Sequence, residues 1–249
     1  MSLALRGASF RWPDGKLALS EAEIELRGGR VIALLGPNGA GKSTLLGLAS
    51  GRLAPSSGSA ELEGKPLRAW DAAARARNVA LLPQFERLPF NYSVRDFVLL
   101  GRAPHVGLLA LPSALDEAKA AEAIEELGLE ALADRGVTEL SGGELQLVRI
   151  ARCLAQEALY LLLDEPTSML DPAHARSVAE AMRGLAASGR GLLFSTHDPA
   201  LALFAADEAL LLRNGRTVAR GPVSTIVSPA ALSEAFGVAF AQRPLPSAY

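Results

Sequence analysis

Cysteine is almost absent from this chain: Cys153 is the only one. That excludes an internal disulfide and argues against a cysteine-based metal cluster. A lone thiol fits a reducing compartment. Long apolar runs are missing too, for no stretch reaches the ~18 uninterrupted apolar residues of a membrane-spanning helix. The longest loose candidate, Val106 to Leu115, is short and contains Pro112. The opening "MSLALRGASF" is too short in its apolar part, and broken by Arg6, to read as a signal peptide. A soluble chain is expected, free to sit against a membrane protein. Excess charge of either sign is also lacking. With 25 Lys+Arg against 27 Asp+Glu the formal net charge is −2, which argues against a mainly electrostatic nucleic-acid partner. Lysine itself is scarce: Lys16, Lys42, Lys65 and Lys119 stand alone among 25 basic residues. A chain that prefers arginine so strongly has kept Lys42 for a reason.

What is present is a large apolar content, 49% of 249 residues, enough for one large domain or two small ones. Four short apolar runs end in turn or functional residues: "VIALLG" (31–36), "VALLPQ" (79–84), "LYLLLD" (159–164) and "GLLFSTHD" (191–198). They lack polar alternation, as strands buried on both faces of a parallel sheet do. Helical patterns lie between them. Asp171-Pro172, Asp198-Pro199 and Ser228-Pro229 each offer an N-cap followed by proline at the first helical position. Gly189 and Gly237 mark where the first and last of these helices stop. The alternation predicts an α/β fold. From about 86 to 156 no strand is expected. Ser93 and Ser113 read as N-caps, and "ALDEAKAAEAIEEL" as an amphipathic helix ending near Gly128. This stretch is expected to be a helical insert. The tail "QRPLPSAY" is expected to be loose.

"GPNGAGKS" fits G-x-x-x-x-G-K-[ST], with a strand before it and a helical "STLLGLAS" after it. Gly36, Pro37, Asn38, Gly39, Ala40, Gly41, Lys42, Ser43 and Thr44 are therefore expected around a nucleotide's phosphates. Backbone N–H groups and the helix N-terminus supply partial positive charge there. Lys42 is expected on the β- and γ-phosphates, and Ser43 on Mg²⁺. "LYLLLDE" supplies a carboxylate at a strand end, Asp164, for the same ion. Glu165 comes next. In an extended chain successive side chains point to opposite faces, so Asp164 is assigned to Mg²⁺ and Glu165 to the attacking water. A second glycine-rich helix start, "LSGGE" at 140–144, lies before "LQLVRIARCLAQ". There Leu147, Ile150, Ala151 and Leu154 share one face, and Arg149, Arg152 and Gln156 another.

Taken together these motifs closely resemble the nucleotide-binding subunit of ATP-binding cassette (ABC) transporters. "GPNGAGKST" resembles Walker A, "YLLLDEP" Walker B, "LSGGE" the family signature and "SMLD" (168–171) the D-loop. Gln84 resembles the Q-loop glutamine and His197 the switch histidine, while Trp12 falls where the family stacks an aromatic on adenine. The resemblance implies a P-loop NTPase (RecA-like) core, an N-terminal antiparallel β subdomain and an inserted α-helical subdomain. On that reading 1–249 is one domain, with 1–85 and 157–249 as core and 86–156 as the helical part. It further implies an ATPase using ATP and Mg²⁺, with Gln84 also near the metal and catalytic. His197 would contact the γ-phosphate, where a histidine can donate in either protonation state. Two copies would close head to tail, so that Ser141, Gly142, Gly143 and Glu144 hold the ATP of the partner's P-loop and Asp171 reports across the interface. Glu144 stands where many members have glutamine, and Leu145 and Leu147 replace polar or basic residues.

Partners implied are two integral-membrane permease subunits and, for importers, an external substrate-binding protein, at the cytoplasmic face of the inner membrane. Phe85, Phe90, Tyr92 and Phe97 cluster after Gln84. They read either as subdomain core or as a groove, lined by Phe90 and Tyr92, for a permease helix. "GRAPH" resembles importer ATPases for iron–siderophore, haem and vitamin B12 through Gly101, Arg102, Pro104 and His105; His105 also reads as a solvated loop residue. A long C-terminal extension like that of many sugar importers is not expected. Molybdate or zinc importers, an exporter subunit and a soluble iron–sulfur assembly ATPase stay open as alternatives.

Overall fold

A computed structural model describes residues 2–107 and 109–240; the "QRPLPSAY" tail lies outside them. The chain begins with β1 (Ser2–Arg11), β2 (Leu17–Arg27), β3 (Val31–Leu35), α1 (Lys42–Ala49), β4 (Ser57–Leu62) and β5 (Lys65–Pro66). Next come α2 (Ala72–Ala76), β6 (Val79–Leu82), α3 (Val94–Leu99), α4 (Ala114–Glu126) and α5 (Gly142–Ala155). The last part holds β7 (Tyr160–Leu163), α6 (Pro172–Ala187), β8 (Gly191–Thr196), α7 (Pro199–Ala205), β9 (Glu208–Arg213) and β10 (Arg216–Pro222). Two short helices, α8 (Val223–Ile226) and α9 (Pro229–Phe236), follow.

The central sheet runs β10-β9-β3-β8-β7-β6, and all its pairs are parallel except the β9–β10 hairpin. The four apolar runs are four of its strands. β3, β7 and β8 are buried along their whole length, because layers cover both faces. Pleating divides the core. Val31, Ala33 and Leu35 face one cluster with Leu161, Leu163 and Phe194, under α5, α6 and α7. Ile32 and Leu34 face the other with Leu162, Leu193 and Leu210, under α1 and a second sheet. That second sheet, β2-β1-β4-β5, is antiparallel.

Helix starts follow the sequence closely. Asp171, Asp198 and Ser228 cap α6, α7 and α9, each with proline in the first turn. Ser93 and Ser113 cap α3 and α4 through their hydroxyls. Gly128 and Gly189 take left-handed backbone just beyond α4 and α6, and Gly237 does so at the end of α9. Between β6 and β7 the described residues hold helices and one isolated bridge, Ser93 to Gly136.

Cys153 is buried in α5, as a small core residue. Burial pushes its thiol up to about 11, so at pH 8 only about one in a thousand is thiolate. Native protein is expected to resist a disulfide reagent such as DTNB at pH 8, and to take up one equivalent in denaturant. Rapid native labelling would contradict this burial.

Candidate active site

Strand order decides what meets at the carboxyl edge of the central sheet. β3 ends at the glycine-rich loop, β8 at His197, β7 at Asp164 and Glu165, and β6 just before Gln84. These four strands are neighbours, in the order β3-β8-β7-β6. Ligands of open α/β sheets bind outside the carboxyl ends of such strands.

A cleft of about 600 Å³ opens there. Asn38 to Thr44, Gln84, Asp164, Glu165 and Trp12 line it. Gly36 and Pro37 do not; their carbonyls instead accept from Lys42 Nζ, at 2.8 and 3.4 Å. A Cβ on Gly36 would run into the Leu212 carbonyl, so the loop passes where only glycine fits. Trp12 is 41% exposed and braced edge-on by Phe10 at 4.9 Å. It stands at the cleft as an exposed aromatic face.

Lys42 and Glu165 are both 7% exposed, and lie 3.4 Å apart as an ion pair. Glu165 Oε2 also accepts from His197 Nδ1 at 2.9 Å. While Nδ1 donates there, Nε2 can donate to a second group only in the imidazolium. Asp164 and Glu165 do not diverge as neighbours on an extended strand would. β7 stops at Leu163, and Glu165 has φ +51°, so the pair is not extended chain. That left-handed turn lets both carboxylates line one cleft, at a strain typical of functional sites. Ser195 separates their environments. Its hydroxyl donates to Asp164 Oδ1 at 2.5 Å and accepts from the Glu165 N–H at 2.8 Å.

The cleft also suits Mg²⁺. Ser43, Gln84 and Asp164 are hard oxygen donors on its wall. Among the described residues no cluster of three or more His, Cys, Asp or Glu could hold a metal alone. Magnesium characteristically takes one or two carboxylates and completes its shell with phosphates and water.

Ser141 to Glu144 do not line this cleft. Ser141 caps α5 in a reciprocal box: its hydroxyl accepts from the Glu144 N–H at 3.3 Å, and Glu144 Oε2 accepts from the Ser141 N–H at 2.8 Å. The Ser141 N–H and hydroxyl hold the Glu144 carboxyl below its ordinary value. Glutamate serves this box as glutamine would. Asp171 caps α6 and accepts from His174 Nδ1 at 2.5 Å. Gly143 packs so closely on the His174 ring that a Cβ would overlap it. The two segments are thus seated on each other.

"GRAPH" is built into the fold. Arg102 is 3% exposed. It donates to Asp116 at 3.0 Å and to Glu157 and the Ala155 carbonyl at 2.7 Å each. The Ser113 hydroxyl and N–H, with Arg102, hold the Asp116 carboxyl down at about 2. His105 Nε2 donates to the Gln156 carbonyl at 3.0 Å; it is tied down rather than solvated. The aromatic cluster divides. Phe97 is core, while Phe85 and Phe90 are 73% and 64% exposed, and Phe90 meets Tyr92 edge-on at 5.8 Å.

Sequence reasoning missed Ser195 and the Asn214-Gly215 turn. That turn also lines the cleft, and Gly215 donates its N–H to the Ala40 carbonyl at 3.0 Å. Asn-Gly between two strands is a hairpin signal, so the turn itself was readable, though not its position.

The family described as ABC transporter matches residues 19–168. Among curated relatives, the hemin import ATP-binding protein HmuV of Pseudomonas entomophila (strain L48) is 43% identical over 233 residues, covering 92% of this chain and 90% of that protein. Among solved structures, an inward-facing ABC transporter described as of metal-chelate type has a TM-score of 0.84 at 34% identity, covering 96% of this chain and 90% of that one. The ADP conformation of MJ1267, an ATP-binding cassette of an ABC transporter, also has a TM-score of 0.84, at 26% identity, with 94% and 98% covered.

Proposed function

The chain belongs to the ABC transporter family of ATP-binding proteins, and from that premise we propose how it works and for which cargo. It is an ATPase coupled to transport, as its relatives are. We assign it to an importer of a metal chelate of the haem, iron–siderophore or cobalamin kind. The likeness to the hemin import protein and to the metal-chelate transporter supports that cargo class. No helix among the described residues is long and apolar enough to cross a membrane. The kinship with importer ATPases supports the reading that it works against two permease subunits, at the cytoplasmic face, with an external binding protein delivering cargo.

The observation that carries the mechanism is the separation of the two glycine-rich sites. Lys42, Glu165 and Gln84 share one cleft, and Ser141 to Gly143 lie outside it. A second phosphate cradle that stands outside its own chain's cleft is best read as serving the nucleotide of a second copy. Two copies closing head to tail would put Ser141, Gly142 and Gly143 against the γ-phosphate on the partner's P-loop, beside Asp171. Glu144 contributes by fixing the Ser141 cap. ATP binding then shifts the population toward the closed pair.

Within the cleft, Trp12 stacks on adenine, and the N–H groups of residues 38–44 and Lys42 hold the phosphates. Ser43, Gln84 and Asp164 hold Mg²⁺, which supplies neutralisation of phosphate charge. Glu165 orients and polarises the attacking water as general base. As the imidazolium, His197 donates to Glu165 through Nδ1 and to the γ-phosphate through Nε2. Ser195 holds Asp164 in place and fixes the turn that aims Glu165.

Phe90 and Tyr92 line the surface that receives the permease. The test is co-purification of the tagged chain from its native membranes in mild detergent. A polytopic membrane protein in stoichiometric amount is expected, and its identity would point to the cargo. Phe90→Ala with Tyr92→Ala should cut its recovery about tenfold, because aromatic anchors carry much of the energy of such contacts, and leave ATP affinity intact. Unchanged recovery would remove these residues from the role. Recovery with soluble partners alone, from membranes stable in that detergent, would overturn the transport reading.

A further inference from the structure

Glu86 stands two residues beyond Gln84, where the chain leaves the cleft. Its carboxylate turns toward α5, the helix that Ser141 caps. Oε1 accepts from Arg152 Nη1 at 2.6 Å and Oε2 from Arg152 Nη2 at 3.0 Å. Arg149 Nη2 donates to the Glu86 carbonyl at 3.0 Å. The three side chains are only 22%, 18% and 13% exposed. The Arg152 guanidinium also lies 4.6 Å over the Phe97 ring. Behind it, the backbone of Gly101 presses on the Arg152 carbonyl so closely that a Cβ would overlap it.

We propose that Glu86 is a positioning residue that ties the placement of Gln84 in the cleft to the placement of α5. The inference rests on the reading that Gln84 contacts the metal or γ-phosphate. Two parallel hydrogen bonds fix direction as well as distance, so Glu86 follows the helix rather than swinging on it. Only Phe85 separates Gln84 from Glu86, and the chain between them spans at most about 7 Å, so the two are joined by a short tether. Arg149 Nε is buried without a hydrogen-bond partner, and lies 3.7 Å from Glu86 Oε2. A shift of under about 1 Å would make that bond. When the partner's ATP draws the Ser141 end of α5, the glutamine in this chain's own cleft moves with it. Each site then senses the occupancy of the other.

The experiment compares Glu86→Gln, Arg152→Lys, Gln84→Ala and the Glu86→Gln/Gln84→Ala double variant in the full chain. It reads kcat, ATP Kd and Tm. Glu86→Gln keeps the shape and loses the charge; Arg152→Lys keeps the charge and loses the fork. Each is expected to lower kcat about tenfold with ATP Kd within about twofold. The double variant is expected to be no slower than Gln84→Ala, because both act through one amide. A purely structural role would lower Tm and multiply the two losses, which overturns the proposal. A Gln84→Ala loss with full turnover in Glu86→Gln and Arg152→Lys overturns the coupling and leaves the reading of the cleft standing. Full turnover in Gln84→Ala removes the reading of Gln84, and the coupling with it. If Glu86→Gln does not fold, Arg152→Lys carries the same decision.

Discussion

Glu165→Gln is expected to lower kcat by about 10²- to 10⁴-fold, the range for removing a positioned general base. ATP binding should survive it. The amide keeps the volume of the carboxylate, so the wall of the cleft is unchanged. What goes is the charge that Lys42 meets at 3.4 Å and His197 at 2.9 Å. Lys42 keeps its bonds to the Gly36 and Pro37 carbonyls, and gains a phosphate when ATP arrives. A carboxylate beside the γ-phosphate also repels it, most strongly in a site shielded from water. The neutral variant should therefore hold ATP as tightly as the parent, or more tightly. Phosphate release gives kcat, and equilibrium dialysis with labelled ATP gives the affinity. A kcat within about threefold of the parent would remove Glu165 from the role. Loss of ATP binding instead would make it a structural partner of Lys42.

That Glu165 can do this depends on backbone the sequence did not reveal. The strand ends were legible because β3, β6, β7 and β8 are short apolar runs broken by glycine, glutamine, aspartate and histidine. The caps were legible because Asp-Pro and Ser-Pro are local signals, decided within one turn of helix. The left-handed φ of Glu165 was not, since glutamate rarely adopts it and nothing nearby announces it. Ser195 gave no sign either. Its partner Asp164 is 31 residues away, and they meet only because β7 and β8 are neighbours. The arginines of α5 were read as a polar helix face, which they are. That one face should be spent on Glu86 follows from how the insert folds back on the segment after β6. "GRAPH" pointed to the family through its letters, but its work is structural: Arg102 is buried among Asp116, Glu157 and the end of α5. Local chemistry was readable, and contacts made by tertiary closure were not.

The proposed head-to-tail arrangement makes a prediction that no single-chain site could satisfy. Lys42→Ala leaves the signature intact and should abolish phosphate binding in its own cleft. Ser141→Arg leaves that cleft intact, and puts a bulky cation where the partner's nucleotide must seat. It also removes the cap that Glu144 completes. Each variant alone is expected to hydrolyse almost nothing. Co-expressed in equal amounts, about half of the dimers carry one of each, if pairing is random. In such a dimer the intact P-loop of one chain faces the intact signature of the other. The second site pairs both defects. One composite site in two, in half of the dimers, gives at most about a quarter of the parent's turnover. A requirement for both sites would pull the recovery lower, toward zero. A site built within one chain would recover nothing under any mixing, because each chain would carry its own defect. The control is a chain bearing both substitutions, co-expressed with the parent. There every mixed dimer has one defect in each site, so only the parent homodimers turn over, again about a quarter. Recovery in the first mixture, with ATP bound by the Ser141→Arg chain and not by the Lys42→Ala chain, would place the two cradles on opposite sides of one nucleotide. Failure of the first mixture, with assembly of mixed dimers verified by differential tags and full parental turnover in the tagged parent, would overturn a composite site that turns over on its own.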